Sequence, residues 1–332
     1  MSKSLEKFIN RMNKKYNKES IINLGSKNKF LDIEMVSTGL YSVDDILGGG
    51  LPKGRMIELF GNESSGKTTF AMHLIRQFIN QGKSVAFIDT EHAFDREYAK
   101  ETGIDLSKIW FSQPETAEQA FEFMEGFIEN KIDLVIVDSI AAMPPAAEME
   151  GKASDMTVGV MARLLNKECR RIVSRISKKE TCLLLINQVR ETIGGFSFNN
   201  TTTPGGRGIK FASSIRIKIA KKATIKDSNR NAIGIRSIIK TEKNKIVAPF
   251  KSAEFDIIFG MGVSIESDMI EKGLELKVIK KNGNSFEFGE EKLGVGRMQA
   301  LNRLCEDKEL VEKVKFEIDN NLNEEDVKEN IK

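Results

Sequence analysis

The sequence predicts an α/β protein: a mostly parallel, twisted sheet flanked by helices, with a helical arm before it and a small α/β lobe after it. Three observations carry that expectation. Short apolar runs at 56–60, 85–89, 108–112, 134–138 and 182–187 alternate with amphipathic segments at 67–80, 94–102, 116–130 and 158–177. That is the pattern of parallel strands joined by helical crossovers. Two β-branched runs, 214–220 and 233–240, follow closely as antiparallel or mixed additions to the same sheet. From residue 264 the segments become shorter and more charged, with turn signals at Asn282-Gly283 and at 294–296, as in a separate small lobe. The expected division is therefore an arm over 1–30, a core over 31–263 and a lobe over 264–332.

A chain of 332 residues, 40% hydrophobic and 30% charged, buries a core without staples. The net charge of +3 means that any nucleic-acid contact must come from locally placed Lys and Arg. Cys169, Cys182 and Cys305 are odd in number and lack a CxxC pair, which argues against a disulfide frame or a zinc site and fits a reducing cytoplasm. The start, MSKSLEKFINRMNKKYNKES, has no apolar stretch, and no window approaches the ~20 apolar residues of a span, so neither export nor membrane insertion is expected.

In chain order, residues 4–18 set Leu5, Phe8, Ile9 and Met12 at helical spacing among basic residues. Such a helix docks either on a neighbour or on its own domain. Next, Gly61-Asn62-Glu63-Ser64-Ser65-Gly66-Lys67-Thr68 fits G-x-x-x-x-G-K-[ST] between an apolar strand and an amphipathic helix. Its glycines let backbone N–H groups turn onto phosphates, and the helix N-terminus adds its dipole. Lys67 supplies a point charge and the Thr68 hydroxyl a ligand for Mg²⁺, so ATP and Mg²⁺ are the expected cofactors.

The run at 85–89 is followed by Thr90-Glu91 at the carboxyl edge of the sheet, where open α/β proteins bind ligands. Glu91 is thereby a candidate to polarise an attacking water. The run at 134–138 ends in Asp138, which either holds the Mg²⁺ water shell or caps the next helix. The run at 182–187 ends beside Asn187-Gln188, where a neutral amide is placed to sense a γ-phosphate. Residues 189–206 form a long Gly-, Asn- and Thr-rich stretch without periodicity, and such loops are functional or disordered. Beyond Cys305 acids outnumber bases about two to one; this reads either as a solvated end or as a screen competing with DNA. Trp110, the three cysteines and His73 read as core or helix-face residues, and His92 stays open.

Several ordered segments resemble the RecA family of bacterial and phage recombinases: GNESSGKTT, FIDTEHAFDREYA, SQPETAEQA, VIVDSIAAMPPAAEMEG, INQVR, TTTPGGRGIKF and KNKIVAPFKSAEF. The resemblance spans nearly the whole chain and implies a RecA-type P-loop NTPase core. It further implies Glu91 as catalytic glutamate, Gln188 as nucleotide sensor, and Asp95, Tyr98 and Thr69 beside the nucleotide. Lys243 and Lys245 match lysines that reach a neighbour's γ-phosphate, and Phe211 matches an interface residue that relays nucleotide state. Residues 150–156 and 189–206 match two DNA-binding loops, with Lys152, Arg163, Arg190, Phe196, Phe198 and Arg207 as DNA contacts. Two blander readings stand beside these: phenylalanines tucked onto the loop's own surface, and Lys152 and Arg163 as solvated charge.

By the same resemblance the partners are single-stranded DNA, homologous duplex DNA and further copies of the chain in a helical filament. A LexA-type repressor in an SOS response is a partner it permits. Against the family pattern, Asn62 replaces a usual Pro, Gly208 a usual Ala, and Phe259 a common Tyr. Two rival classes are an ATP-binding relative that does not exchange strands and a hexameric motor. Lys67, Glu91, Asp138 and Gln188 speak against the first; the lack of a zinc motif or a second ATPase domain disfavours some of the second.

Overall fold

The computed structural model describes residues 2–16, 20–23, 33–150, 159–191, 201–227 and 229–330. They fall into two compact units, 1–34 and 35–332. In the first, α1 (Lys3–Lys15) starts at Ser2, whose hydroxyl accepts from Leu5 N–H. Glu6 in its first turn and Lys14 and Lys15 in its last complement the helix dipole.

The second unit is built on a nine-stranded sheet. Its strands are β1 (Met56–Gly61), β2 (Val85–Asp89), β3 (Ile109–Ser112), β4 (Leu134–Asp138), β5 (Cys182–Gln188), β6 (Ile215–Lys226), β7 (Ala232–Asn244), β8 (Ser252–Ile258) and β9 (Gly262–Val263). Their spatial order is β9-β8-β7-β6-β1-β5-β4-β2-β3. The pairs from β6 to β3 are parallel, and those from β6 to β9 antiparallel. The helices are α2 (Tyr41–Leu47), α3 (Lys67–Asn80), α4 (Arg96–Glu101), α5 (Ala117–Glu129), α6 (Ala146–Glu150), α7 (Val160–Lys179), α8 (Gly206–Ala212), α9 (Ile265–Glu275), α10 (Arg297–Glu306) and α11 (Lys308–Asn330).

Strands β1, β2 and β4 are buried along their whole length, which is why they read as unbroken apolar runs. Successive residues alternate between two cores. Ile57, Leu59, Phe87, Ile136, Leu184 and Ile186 join Phe70, Leu74 and Phe78 of α3. Met56, Ile88, Val135, Val137, Leu183 and Leu185 join Met124 of α5 and Cys169 and Ile172 of α7. Cys169 and Cys182 are buried and their thiols pushed up to about 12 by that burial, while Cys305 is half-buried.

A third core gathers Met269, Ile279, Phe286, Leu293, Leu304, Leu310, Val314 and Ile318. It is assembled by α9, α10, α11 and a three-stranded antiparallel sheet over residues 279–295. The expected turn at Asn282-Gly283 lies there: Asn282 pairs with Ser285, and Gly283 takes a left-handed φ of 61°.

Two readings need correction. Trp110 is not core but 64% exposed, because β3 is the outermost strand and has a neighbour on one side only. The acid-rich stretch beyond Cys305 is no free tail over 308–322: it enters α11 and buries Leu310, Val314 and Ile318, four residues apart on one helix face. His73 does lie on a helix face, the inward one of α3, where it is buried.

Candidate functional site

The loop between β1 and α3 carries the phosphate-binding signature, and glycine is required at two of its positions. A Cβ on Gly61 would meet the Ile219 carbonyl oxygen at 2.1 Å, and Gly66 turns with φ 95° where a Cβ would strike Ile257 at 2.5 Å. Ser64 also adopts a left-handed φ, 56°. The first turn of α3 has no side-chain cap, so its amides face the loop. Lys67 Nζ donates to the carbonyls of Asn62 at 2.8 Å and Gly61 at 3.2 Å, folding back over the loop. Burial lowers its pKa against the pull of Asp138, Glu91 and Glu63.

Three carboxylates stand at the edge of the sheet beside this loop, and one of them bonds it. Asp138, ending β4, accepts from Thr68 Oγ1 at 2.7 Å. Burial, helped by Glu91 and Asp89, raises it to about 6, against the Thr68 hydroxyl and Lys67. Asp89, ending β2, accepts from Gln113 Nε2 and from the amides of Ala93 and Phe94, which fixes the turn that carries Glu91. Glu91 Oε1 accepts from Ser139 Oγ at 2.5 Å and from Gln188 Nε2 at 3.1 Å. Hydrogen bonds thus join Thr68 to Asp138 and Gln188 to Glu91, and Lys67 feels the charge of both carboxylates. Asn187, the other amide at that strand end, is turned away into the core.

Around this cluster, Asp95 caps α4 by accepting from Glu97 and Tyr98 N–H. Tyr98 packs on the first core, and Thr69 lines a small cleft with His73, Arg76 and Gly262. Asn62 and Glu63 are exposed, and Ser65 is buried. Lys243 Nζ does not join the cluster of its own protomer: it donates to the carbonyls of Lys210 and Phe211 at the end of α8. Lys245 is exposed. Phe211 is 70% exposed, an unusual position for so large an apolar side chain.

Among the expected DNA contacts, Arg163 lies exposed on the first turn of α7 and Arg207 exposed on the first turn of α8. Lys152, Phe196 and Phe198 lie outside the described residues. The stretch 189–206 is not irregular throughout: Arg190 pairs with Thr202 and Glu191 with Thr201 in a short antiparallel ladder at its base. Gly208, where a family Ala is usual, lies against Asn166 of α7.

Sequence reasoning missed Ser139, Glu58 and Arg216. Ser139 holds Glu91. Glu58 is fully buried on β1 and accepts from Arg216 Nε at 2.6 Å and from Asn187 Nδ2 at 3.0 Å. The visible signal was a carboxylate in the middle of the apolar run MIELF.

The residues present fit a magnesium nucleotide. Thr68 and Asp138 offer hydroxyl and carboxylate oxygens side by side, the hard donor set that Mg²⁺ prefers. Ser65 Oγ, within the loop, is buried and finds no hydrogen-bond partner among the described residues.

Known proteins resemble this chain along nearly its whole length. The family model described as the RecA N-terminal domain matches residues 3–264, and that described as the RecA C-terminal domain matches 267–323. A protein from Chlorobium limicola named Protein RecA is 42% identical over 318 residues, covering 95% of this chain and 91% of that protein. Another of that name from Clostridium novyi is 41% identical over 324 residues, covering 97% and 91%. A crystal structure of the RadB recombinase shares the fold, with a TM-score of 0.53 at 21% identity over 69% of this chain and 98% of that one. With family models over both parts and such relatives along nearly its whole length, this chain belongs to the RecA family of DNA recombinases.

Proposed function

We propose that protomers of this chain polymerise on single-stranded DNA with ATP and Mg²⁺ at their interfaces, test a homologous duplex for pairing, and exchange strands. Base pairing reads the sequence, so the protein need only hold backbone and stack bases. Loop 61–69 grips the phosphates through its amides and Lys67; Asp95 and Tyr98 flank the base. Thr68 and Asp138 hold the metal, which neutralises charge on the phosphate oxygens when bound. Glu91 orients and deprotonates water, and Gln188 answers to the γ-phosphate. Lys243 and Lys245 act on the nucleotide of the adjoining protomer, with Phe211 at that interface. Arg163, Arg190, Arg207, Lys152, Phe196 and Phe198 take the DNA.

The arm over 1–30 docks protomers, 31–263 is the ATPase core, and 264–332 is a small C-terminal α/β lobe. The setting proposed is the cytoplasm; among the described residues no helix is long and apolar enough to cross a membrane. The filament is also the surface on which a LexA-type repressor would be met.

The observation that carries this reading is the 3.1 Å bond from Gln188 to Glu91: the residue at the mouth of the second loop touches the candidate catalytic carboxylate. ATP hydrolysis with and without single-stranded DNA, followed by exchange between homologous duplex and single strand, tests it. Turnover indifferent to DNA sinks it, and ring-shaped particles would favour the motor class.

A further inference from the structure

The Asn187 side chain is fully buried, yet both ends of its amide are engaged. Its Nδ2 donates to Glu58 Oε1 at 3.0 Å and to the Pro204 carbonyl at 3.1 Å, and its Oδ1 accepts from Gln188 N–H at 2.9 Å. The partners dictate the orientation, since a flipped amide would set oxygen against a carboxylate and a carbonyl. One amide therefore ties together the two ends of the 189–206 stretch: its exit beside Gln188 and its return at Pro204, immediately ahead of α8.

The anchor beneath the amide is firm. Glu58 faces Arg216 across adjacent strands, and Arg216 Nε holds the other carboxylate oxygen at 2.6 Å. The Arg216 guanidinium also lies 4.5 Å from the Phe60 ring centroid and bonds Glu242. Next to Glu242, Lys243 holds the far end of α8. So α8, which carries Arg207 and Phe211, is secured through Asn187 at its start and Lys243 at its end. Because Gln188 N–H bonds Asn187 while Gln188 Nε2 bonds Glu91, a shift of Gln188 at the nucleotide pulls on the amide that holds Pro204.

We propose that Asn187 is a positioning residue that transmits the state of the nucleotide site to the second DNA-binding loop, by clamping Pro204 to the residue that senses the nucleotide. The proposal rests on the functional reading above. Its chemistry requires a donor toward Pro204 and an acceptor toward Gln188 in one short side chain, which Asn supplies and Asp does not.

The test pairs Asn187→Asp with the double variant Asn187→Asp/Glu58→Gln. Asp alone sets two buried carboxylates against each other, so its folding suffers. In the double variant donor and acceptor are exchanged: the amide introduced at position 58 donates to the carboxylate introduced at position 187 and still accepts from Arg216, and the buried charge is conserved. The bond to the Pro204 carbonyl gives way to a repulsion between two oxygens, and the ion pair of Arg216 with position 58 becomes a hydrogen bond to a neutral amide.

For wild type and the double variant, thermal unfolding, ATP affinity, DNA-free hydrolysis, stimulation by oligo(dT) and ATP-dependent tightening on oligo(dT) are measured. The expected result is a double variant that still melts in one cooperative transition and keeps wild-type ATP affinity and DNA-free turnover, in which the coupling between ATP and oligo(dT) falls about tenfold. Wild-type coupling in a folded double variant overturns the proposal alone, as does a parallel loss of ATP affinity. Wild-type protein that ignores oligo(dT) overturns the functional reading, and this inference with it.

Discussion

Asp138 at the nucleotide edge and Asp256 at the junction with the lobe are almost equally deep, 7% and 4% exposed, yet their surroundings act on them in opposite directions. At the edge, burial and the neighbouring Glu91 and Asp89 prevail over Thr68 and Lys67, and Asp138 is raised to about 6. At the junction burial pushes the same way, but Arg236, Ser267 and Arg297 outweigh it and hold Asp256 below its ordinary value. Arg236 grips it with two nitrogens at 2.7 and 3.0 Å, and Arg297 adds a third contact from α10. A closed ion cluster joins two parts of a fold, whereas carboxylates left crowding each other beside a lysine form a site that a metal cation bound with phosphates would complete.

The contrast breaks most sharply at Lys67. Lys67→Ala is expected to lower DNA-stimulated hydrolysis by about 100-fold or more, because the phosphates lose their fixed cation. Stability should change by less than about 1 kcal/mol, since the lysine is spent on loop carbonyls rather than on packing. Strand exchange retained in that variant would refute the assignment. Asp256→Ala should do the reverse. Arg236 loses its carboxylate while Arg297 keeps Glu271 and Ser267; with both arginines partly exposed the cost is about 2–3 kcal/mol, below that of a fully buried pair, read from urea unfolding, while ATP affinity at low temperature is kept. Equal loss of affinity and stability would erase the distinction between the two regions.

The same contrast explains what could be read from the sequence. The phosphate loop was legible because its information is local: strand, glycines, lysine and helix start are consecutive. The spans at 67–80, 85–89 and 134–138 coincide with α3, β2 and β4 for the same reason. Clusters built from different strands were not legible. Glu58 meets Asn187 across 129 positions and Arg216 across 158, and only the register of β5, β1 and β6 brings them together. Trp110 was misread because an edge strand and an interior strand have similar composition, and strand order is what separates them. In α11 the apolar residues recur every fourth position, but the surrounding acids dominated the reading.

Between the two regions runs α3, and His73 on its inner face gives a smaller effect with a definite sign. Its Nε2 lies 2.8 Å from the Thr38 carbonyl, which only accepts, so that nitrogen carries the proton; Nδ1 then accepts from Arg76 at 3.3 Å. Burial first, and then the Arg76 cation, push the ring down to about 3 from 6.5. The folded chain therefore refuses a proton that the unfolded chain accepts. The stabilising contribution is intact above about 6.5 and is lost as pH falls toward 3, at up to about 1.4 kcal/mol per pH unit. Between pH 7 and 5, wild type should lose about 2 kcal/mol more than His73→Gln, whose amide can still donate to Thr38. Denaturation curves of equal pH dependence would show that the ring titrates normally.

The smallest expected effect lies at Gly208, where α8 crosses α7. Its backbone needs no left-handed angle, so on helix propensity alone Gly208→Ala gains about 1 kcal/mol. The added Cβ, however, would sit 2.5 Å from Asn166 Oδ1 and 3.0 Å from Asn166 Cα. The side-chain oxygen can swing aside, but the Cα cannot, so the two helices must separate at a cost of about 1–3 kcal/mol. A net loss of about 1 kcal/mol follows by difference. Adding Asn166→Ala should recover only part of it, because the backbone contact remains. Full recovery would mean that the side chain alone sets the spacing, and a stabilised single variant would mean that α8 is already free to shift, which would loosen the hold that the Asn187 clamp has on it.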